Sequence, residues 1–127
     1  MKKQLMVAAM LIAGSAANAQ DVNGTWQTET SDKGAYLHVK VAPCSNDASK
    51  TCGTIIKVVN SDNQGITGKP IIWGMTPRGA NSWNKGTIWA PDDDTTYRSS
   101  MELKGNTLAV KGCVAVFCRG QNWKRVN

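Results

Sequence analysis

The chain has 127 residues, a formal net charge of +6 and a single histidine. This length is enough for one domain and not for two. Beyond Lys2-Lys3 the basic residues are scattered, with only Lys124-Arg125 adjacent, which excludes the clustered basic stripe expected of a nucleic-acid-binding protein.

The first nineteen residues have the order of a secretory signal peptide. Lys2-Lys3 precedes an uncharged apolar run, Leu5–Ala13, and Ala17-Asn18-Ala19 supplies the small residues of a cleavage site. We predict cleavage before Gln20, which lowers the net charge to +4 because two lysines are removed. The apolar run is shorter than the roughly 20 residues of a transmembrane helix, and no later segment is longer. An uncleaved anchor is the alternative.

Residues 20–127 are therefore expected to form one periplasmic or secreted domain without a transmembrane segment. The residue immediately after the cleavage site is Gln20 and not cysteine, so a lipid anchor is not expected.

Eight segments of the mature chain alternate apolar and polar side chains with a period of two, the pattern of β-strands. No apolar series with helical spacing lasts two turns. The predicted strands are Thr25–Thr30, Tyr36–Ala42, Cys52–Val59, Lys69–Met75, Trp83–Ala90, Tyr97–Leu103, Thr107–Val116 and Arg119–Val126. Short, evenly spaced strands favour an antiparallel sandwich or an up-and-down barrel.

Turn residues separate these strands. Asp32-Lys33-Gly34, Pro91–Asp94 and Gly105-Asn106 suit tight connections, and the longest connection, residues 60–68, is expected to be the most mobile. The alternation also predicts which side chains face the interior together with Trp26. They are Leu37, Val39, Val41, Ile56, Val58, Met101, Leu103, Leu108 and Val110.

The four cysteines predict two disulfides, because the expected compartment is oxidising. Four cysteines allow three pairings. We predict Cys44–Cys52 and Cys113–Cys118, since each pair brackets a short loop-like segment. A zinc site is the alternative, but neither pair has C-x2-C spacing and His38 lies elsewhere.

The residues offer little for catalysis. His38 shares a strand face with Tyr36 and Lys40, which indicates an exposed strand position rather than a general base. Ser99-Ser100 lacks the G-x-S-x-G context of a nucleophile. Asp92-Asp93-Asp94 lacks the ligand spacing and glycine of a calcium loop, so a turn is the better interpretation. We expect neither an enzyme nor a metal or cofactor site.

Five tryptophans against one phenylalanine are the unusual feature of the composition. Indoles suit either the core of a small barrel or the wall of a binding pocket. Trp26 and Trp123, on the first and last strands, are predicted to be core residues. The predicted pocket residues are Trp73, Trp83, Trp89 and Tyr97.

Gly24-Thr25-Trp26 resembles the G-x-W signature of lipocalin-like barrels, in which an arginine of the last strand packs over the tryptophan. Arg125 is placed to do this here. Longer segments resemble, in order and spacing, the DUF2147 family of small exported bacterial proteins. These segments are Pro70–Met75, Trp83–Pro91, Gly112–Cys118 and Gln121–Val126. The chain departs from the family at Pro91–Tyr97, where the usual Gly-Lys is missing.

The resemblance implies an all-β, eight-stranded antiparallel up-and-down barrel of the lipocalin-like, calycin type, with both local disulfides. It implies no established activity. We expect a noncatalytic protein that takes a small apolar or amphiphilic molecule into the barrel, because concave sites favour aromatic walls. The alternative is a solidly packed barrel that acts through its surface as an envelope structural or stress-related interaction protein.

Overall fold

The computed structural model describes residues 21–127, which form a closed barrel of eight antiparallel strands. Each strand pairs with its neighbours in sequence, and β1 pairs with β8 to close the barrel. The strands are β1 (Gly24–Gln27), β2 (Tyr36–Pro43), β3 (Thr51–Val59), β4 (Pro70–Pro77), β5 (Ser82–Ala90), β6 (Thr95–Lys104), β7 (Thr107–Val114) and β8 (Phe117–Arg125). The predicted up-and-down barrel is thus confirmed.

The predicted signal peptide and its cleavage site lie outside the described residues. Within residues 21–127, no helix is long and apolar enough to cross a membrane.

β1 and β7 end earlier than their sequence patterns indicate, and β7 ends at Val114 rather than at Val116. The alternation predicted β1 to continue to Thr30, but it ends at Gln27. At the next residue a side chain takes the place of a backbone acceptor. The Thr28 hydroxyl accepts a hydrogen bond from the Leu37 backbone N–H at 2.9 Å. The chain then turns, and Ser31 bonds back to Ala35.

The prediction that Ile56 faces the interior is wrong. Ile56 is 44% exposed, whereas Ile55 is fully buried. The β2–β3 register explains the difference: Val39 pairs with Ile55, but His38 pairs with Lys57, so Ile56 is the extra residue of a β-bulge. The bulge shifts the alternation by one residue.

The other predicted interior positions hold. Leu37 is partly buried and packs against the core, and the rest are buried. Two glycines on the interior face make this packing possible. A Cβ at Gly53 would lie 2.8 Å from the Ile72 side chain, and one at Gly86 would lie 2.5 Å from the Met75 sulfur. The absence of a side chain at these two positions lets Ile72 and Met75 fill the barrel.

The up-and-down topology gives the barrel two distinct ends. The mouth carries the connections β1–β2, β3–β4, β5–β6 and β7–β8. The closed end carries the other three connections, the start of β1 and the end of β8. Each strand therefore runs its whole length between the two ends.

The two disulfides pair as predicted, Cys44–Cys52 and Cys113–Cys118, with S–S distances of 2.02 Å and 2.07 Å. The first lies at the closed end, between β2 and β3, and the second crosslinks the β7–β8 hairpin at the mouth. Every cysteine of the described chain is in one of these bonds.

The long connection between β3 and β4 is attached to the barrel. It contains a 3-10 helix, Gln64–Ile66, whose Ile66 side chain is only 8% exposed. The Gln64 side-chain amide donates hydrogen bonds to the backbone oxygens of Val58 and Ser61 at 3.2 Å and 2.8 Å. This loop therefore forms part of the rim of the mouth.

Candidate functional site

Two adjoining cavities open at the mouth, with volumes of about 600 Å³ and about 250 Å³. The larger lies among β5, β6, β7 and β8, and the smaller lies between the end of β5 and the connections β1–β2 and β3–β4. Both are partly open to solvent. They share four lining residues, Ile88, Ala90, Asp92 and Gln121. Small-molecule sites usually measure roughly 300–1,000 Å³, so the larger cavity alone is big enough for one.

Small side chains leave this space open. Along β7 the interior positions change from the buried Leu108 and Val110 to Gly112, which lines the larger cavity. A Cβ at Gly112 would lie 3.2 Å from the Ile88 side chain, so even alanine would require Ile88 to shift by a few tenths of an ångström. On β5 the last interior residue before the turn is Ala90, which lines both cavities.

The turn between β5 and β6 orients two aromatic side chains. The Tyr97 hydroxyl donates a hydrogen bond to the Asp93 carboxylate at 2.9 Å, and the Trp89 indole N–H donates one to the Asp94 carboxylate at 2.8 Å. The hydrogen bond to Asp93 raises the pKa of Tyr97 above its ordinary value. Tyr97 therefore stays a neutral donor. The Lys69 ammonium lies 5.9 Å from the centre of the Trp89 ring.

The cavities combine an apolar floor with a polar rim. Ile88 and Val110 line the floor of the larger cavity, whereas Arg119 and Asp93 lie at its edge. In the smaller cavity the Glu29 carboxylate accepts a hydrogen bond from the Asn122 backbone N–H at 2.6 Å. Such a site suits a molecule with an apolar body and one polar end.

Of the four predicted pocket residues, the structure brings two to the cavities. Tyr97 lines the larger cavity and Trp89 the smaller. Trp83 is only 8% exposed and belongs to the hydrophobic core, because it lies at the beginning of β5 and hence towards the closed end. Trp73 is half-buried and lines neither cavity. Its neighbour Ile72 faces inward, so the strand alternation turns Trp73 away from the interior.

Four further lining residues were not predicted from the sequence: Ile88, Ala90, Gly112 and Gln121. For Gly112 the alternation of β7 contains a signal. Gly112 continues the interior series of Leu108 and Val110, so a small residue follows two large ones on the same face.

At the closed end, the Arg125 guanidinium lies over the Trp26 indole, with its Cζ atom 4.4 Å from the ring centre. The same guanidinium donates hydrogen bonds to the backbone oxygen of Asp21 at 2.7 Å and to the side-chain oxygen of Asn106 at 3.1 Å. Trp26 is fully buried, and its indole N–H donates to a backbone oxygen at 2.9 Å. Arg125 thus links the N-terminal segment to the β6–β7 turn.

The backbone conformation at Gly24 explains why the G-x-W triplet begins with glycine. Gly24 has a φ of +139°, and a Cβ at this position would collide with the backbone oxygen of Asn127. Only glycine allows the start of β1 to pass Asn127 this closely.

His38 lines neither cavity. Its Nε2 atom lies 3.0 Å from the Gln27 side-chain oxygen, and partial burial followed by the nearby Lys57 charge lowers the His38 pKa. No group of three histidine, cysteine or acidic residues within residues 21–127 is placed to hold a metal ion.

A closed eight-stranded up-and-down barrel, covered at one end and hollow at the other, is a lipocalin-like barrel. Protein HP1028 from the human pathogen Helicobacter pylori, described as belonging to the lipocalin family, matches this structure with a TM-score of 0.68. The match covers 84% of each chain at 15% sequence identity, which shows the fold alone.

Residues 24–125 match the family described as "Uncharacterized protein conserved in bacteria (DUF2147)", and the chain belongs to this family. A search of the curated proteins finds no match.

Proposed function

We propose that this protein is a noncatalytic binding protein that takes a small apolar or amphiphilic molecule into the mouth of the barrel. The observation that carries the proposal is the cavity of about 600 Å³ at that end. It is large enough for a ligand and lies where small interior residues interrupt an otherwise filled barrel.

The lining favours an amphiphile. An apolar chain would contact Ile88 and Val110 on the floor, while its polar end would stay at the rim near Asp93 and Arg119. Tyr97 contributes an aromatic wall and, through its fixed hydroxyl, one hydrogen-bonding group. Of the four aromatic residues predicted from the sequence, the proposed site keeps Trp89 and Tyr97.

We also infer that the protein works outside the cytoplasm. Two disulfides in a chain of this size are typical of an oxidising compartment. The signal-like residues 1–19 support the same inference.

Isothermal titration calorimetry against fatty acids, isoprenoid alcohols and small aromatic compounds would test the proposal. The blocking variant is Ala90→Trp, because Ala90 lines both cavities and a large side chain there would fill the shared space. The control is Ala109→Trp, which makes the same change on β7 between two buried residues and hence on the outer face.

We expect the wild type and Ala109→Trp to bind at least one probe, and Ala90→Trp to bind it roughly tenfold or more weakly. Equal binding by all three proteins would place the ligand outside the mouth and contradict the proposal. If the wild type binds no probe, the alternative of an interaction protein that acts through its surface becomes the better account.

A further inference from the structure

The tip of the β7–β8 hairpin exposes apolar side chains to solvent. Val114, Val116 and Phe117 are 56%, 87% and 78% exposed. Only two other large hydrophobic side chains in residues 21–127 are comparably exposed, Ile56 and Val126, and they lie elsewhere. Contiguous exposed apolar groups on a soluble protein mark a surface that contacts something else.

This apolar tip, Val114–Phe117, is held in place by two constraints. The Cys113–Cys118 disulfide crosslinks the two strands immediately below it. The Arg98 guanidinium donates a hydrogen bond to the Ala115 backbone oxygen at 2.6 Å. Ala115 itself has a φ of +53°, a conformation that a non-glycine residue keeps only when its surroundings impose it. The exposure of these side chains is therefore built into the hairpin.

Basic side chains lie beneath the tip on its own hairpin. Residues 107–127 contain Lys111, Arg119, Lys124 and Arg125 and no acidic residue. Two of these, Lys111 and Arg119, flank the disulfide, and Arg98 reaches the tip from β6. An apolar apex with basic side chains beneath it has the chemistry of a segment that enters the interface of an anionic membrane.

We propose that the apolar tip docks into the interface of an anionic lipid bilayer. Val116 and Phe117 enter the boundary between headgroups and acyl chains, while Arg98, Lys111 and Arg119 contact lipid phosphates. The acidic turn at Asp92–Asp94 lies at the same end of the barrel, so electrostatic attraction alone is weak and insertion of the apolar side chains is required.

Docking in this orientation directs the larger cavity towards the lipid, because Val114, Phe117 and Arg119 also line that cavity. Docking itself is independent of ligand binding. A further consequence is that the ligand enters the cavity from the membrane. Only this consequence rests on the proposed function.

The test is co-flotation of the mature, oxidised protein with phosphatidylglycerol-containing vesicles and, separately, with pure phosphatidylcholine vesicles. The variant is Val116→Asp. Val116 is the most exposed side chain of the tip, and it lines neither cavity. The matched control is Ile56→Asp, the same kind of change at a side chain that is 44% exposed on the barrel wall. Circular dichroism and the melting temperature check that both variants fold.

We expect the wild type and Ile56→Asp to bind the anionic vesicles, less strongly as salt rises, and Val116→Asp to bind roughly tenfold more weakly. Absence of wild-type binding, or an equal loss in Ile56→Asp, would overturn the proposal. A dimer that Val116→Asp abolishes, without vesicle binding, would assign the tip to a second copy of this chain and likewise overturn it.

The same variants separate this proposal from the preceding one. Ala90→Trp should still float with anionic vesicles even though its cavity is filled. Val116→Asp should still bind a soluble ligand in calorimetry. Failure of only one of these activities therefore identifies which proposal is wrong.

Discussion

The two ends of the barrel are built from the same eight strands, but the interior is packed at one end and hollow at the other. At the closed end Trp26 is fully buried beneath Arg125, and the interior is packed. At the mouth the same strand faces present Ala90 and Gly112, and a cavity of about 600 Å³ remains. One barrel can thus combine a stabilising core with a hollow, because β5 and β7 carry small interior residues, Ala90 and Gly112, at the mouth.

The comparison predicts that stability depends mainly on the closed end. Trp26→Ala removes a fully buried indole and should lower the free energy of unfolding by about 3–5 kcal/mol. Trp89→Ala, at the partly exposed rim, should cost only about 1–2 kcal/mol. Urea denaturation followed by circular dichroism measures both. Equal losses would show that the rim stabilises the barrel as much as the core does.

The disulfides should differ in accessibility more than in stabilisation. Their sequence separations of 8 and 5 residues correspond to about 2.5 and about 2 kcal/mol of loop-closure entropy. We expect losses of about this size when each pair is replaced by serine. Because Cys44 is only 4% exposed while Cys118 is exposed, limited reduction followed by alkylation should label the Cys113–Cys118 pair first in peptide mass spectrometry. Initial labelling of Cys44 would contradict this difference.

The closing contact at Arg125 should contribute less. Arg125→Lys keeps the charge but loses the planar group that stacks on Trp26 and bonds to Asp21 and Asn106, so we expect a loss of about 1–2 kcal/mol. Lys124→Arg is the control, because Lys124 is exposed and has no such contacts. Thermal denaturation that leaves both variants unchanged would reduce Arg125 to a surface charge.

The smallest predicted effect concerns pH. Since the His38 pKa is lowered in the folded protein, its neutral form contributes stability that is present above the unfolded pKa near 6.5 and is lost as pH falls through the folded pKa. The loss should be small, because the side chain is mostly solvated. Unfolding midpoints measured between pH 7.5 and pH 5 should fall less in His38→Gln than in the wild type. A larger fall of the midpoint in His38→Gln than in the wild type would contradict a lowered His38 pKa in the folded protein.

Much of the fold could be predicted because the signals are local. Alternation located all eight strands, and short sequence separation paired Cys44 with Cys52 and Cys113 with Cys118. The candidate site was only partly predictable. Trp89 and Tyr97 line the cavities, but Trp73 and Trp83 do not, because composition reports how many indoles exist and not which end or face of the barrel each occupies.

The sequence by itself determined the strands, their inward faces and the change from Val110 to Gly112 along β7. Tertiary structure alone decided the bulge that exposes Ile56 and the size of the cavity at the mouth. The physical reason is that side-chain alternation belongs to one strand, whereas a bulge depends on the register between two strands. The cavity depends on four strands at once, since Ile88, Tyr97, Gly112 and Gln121 border it from different sides.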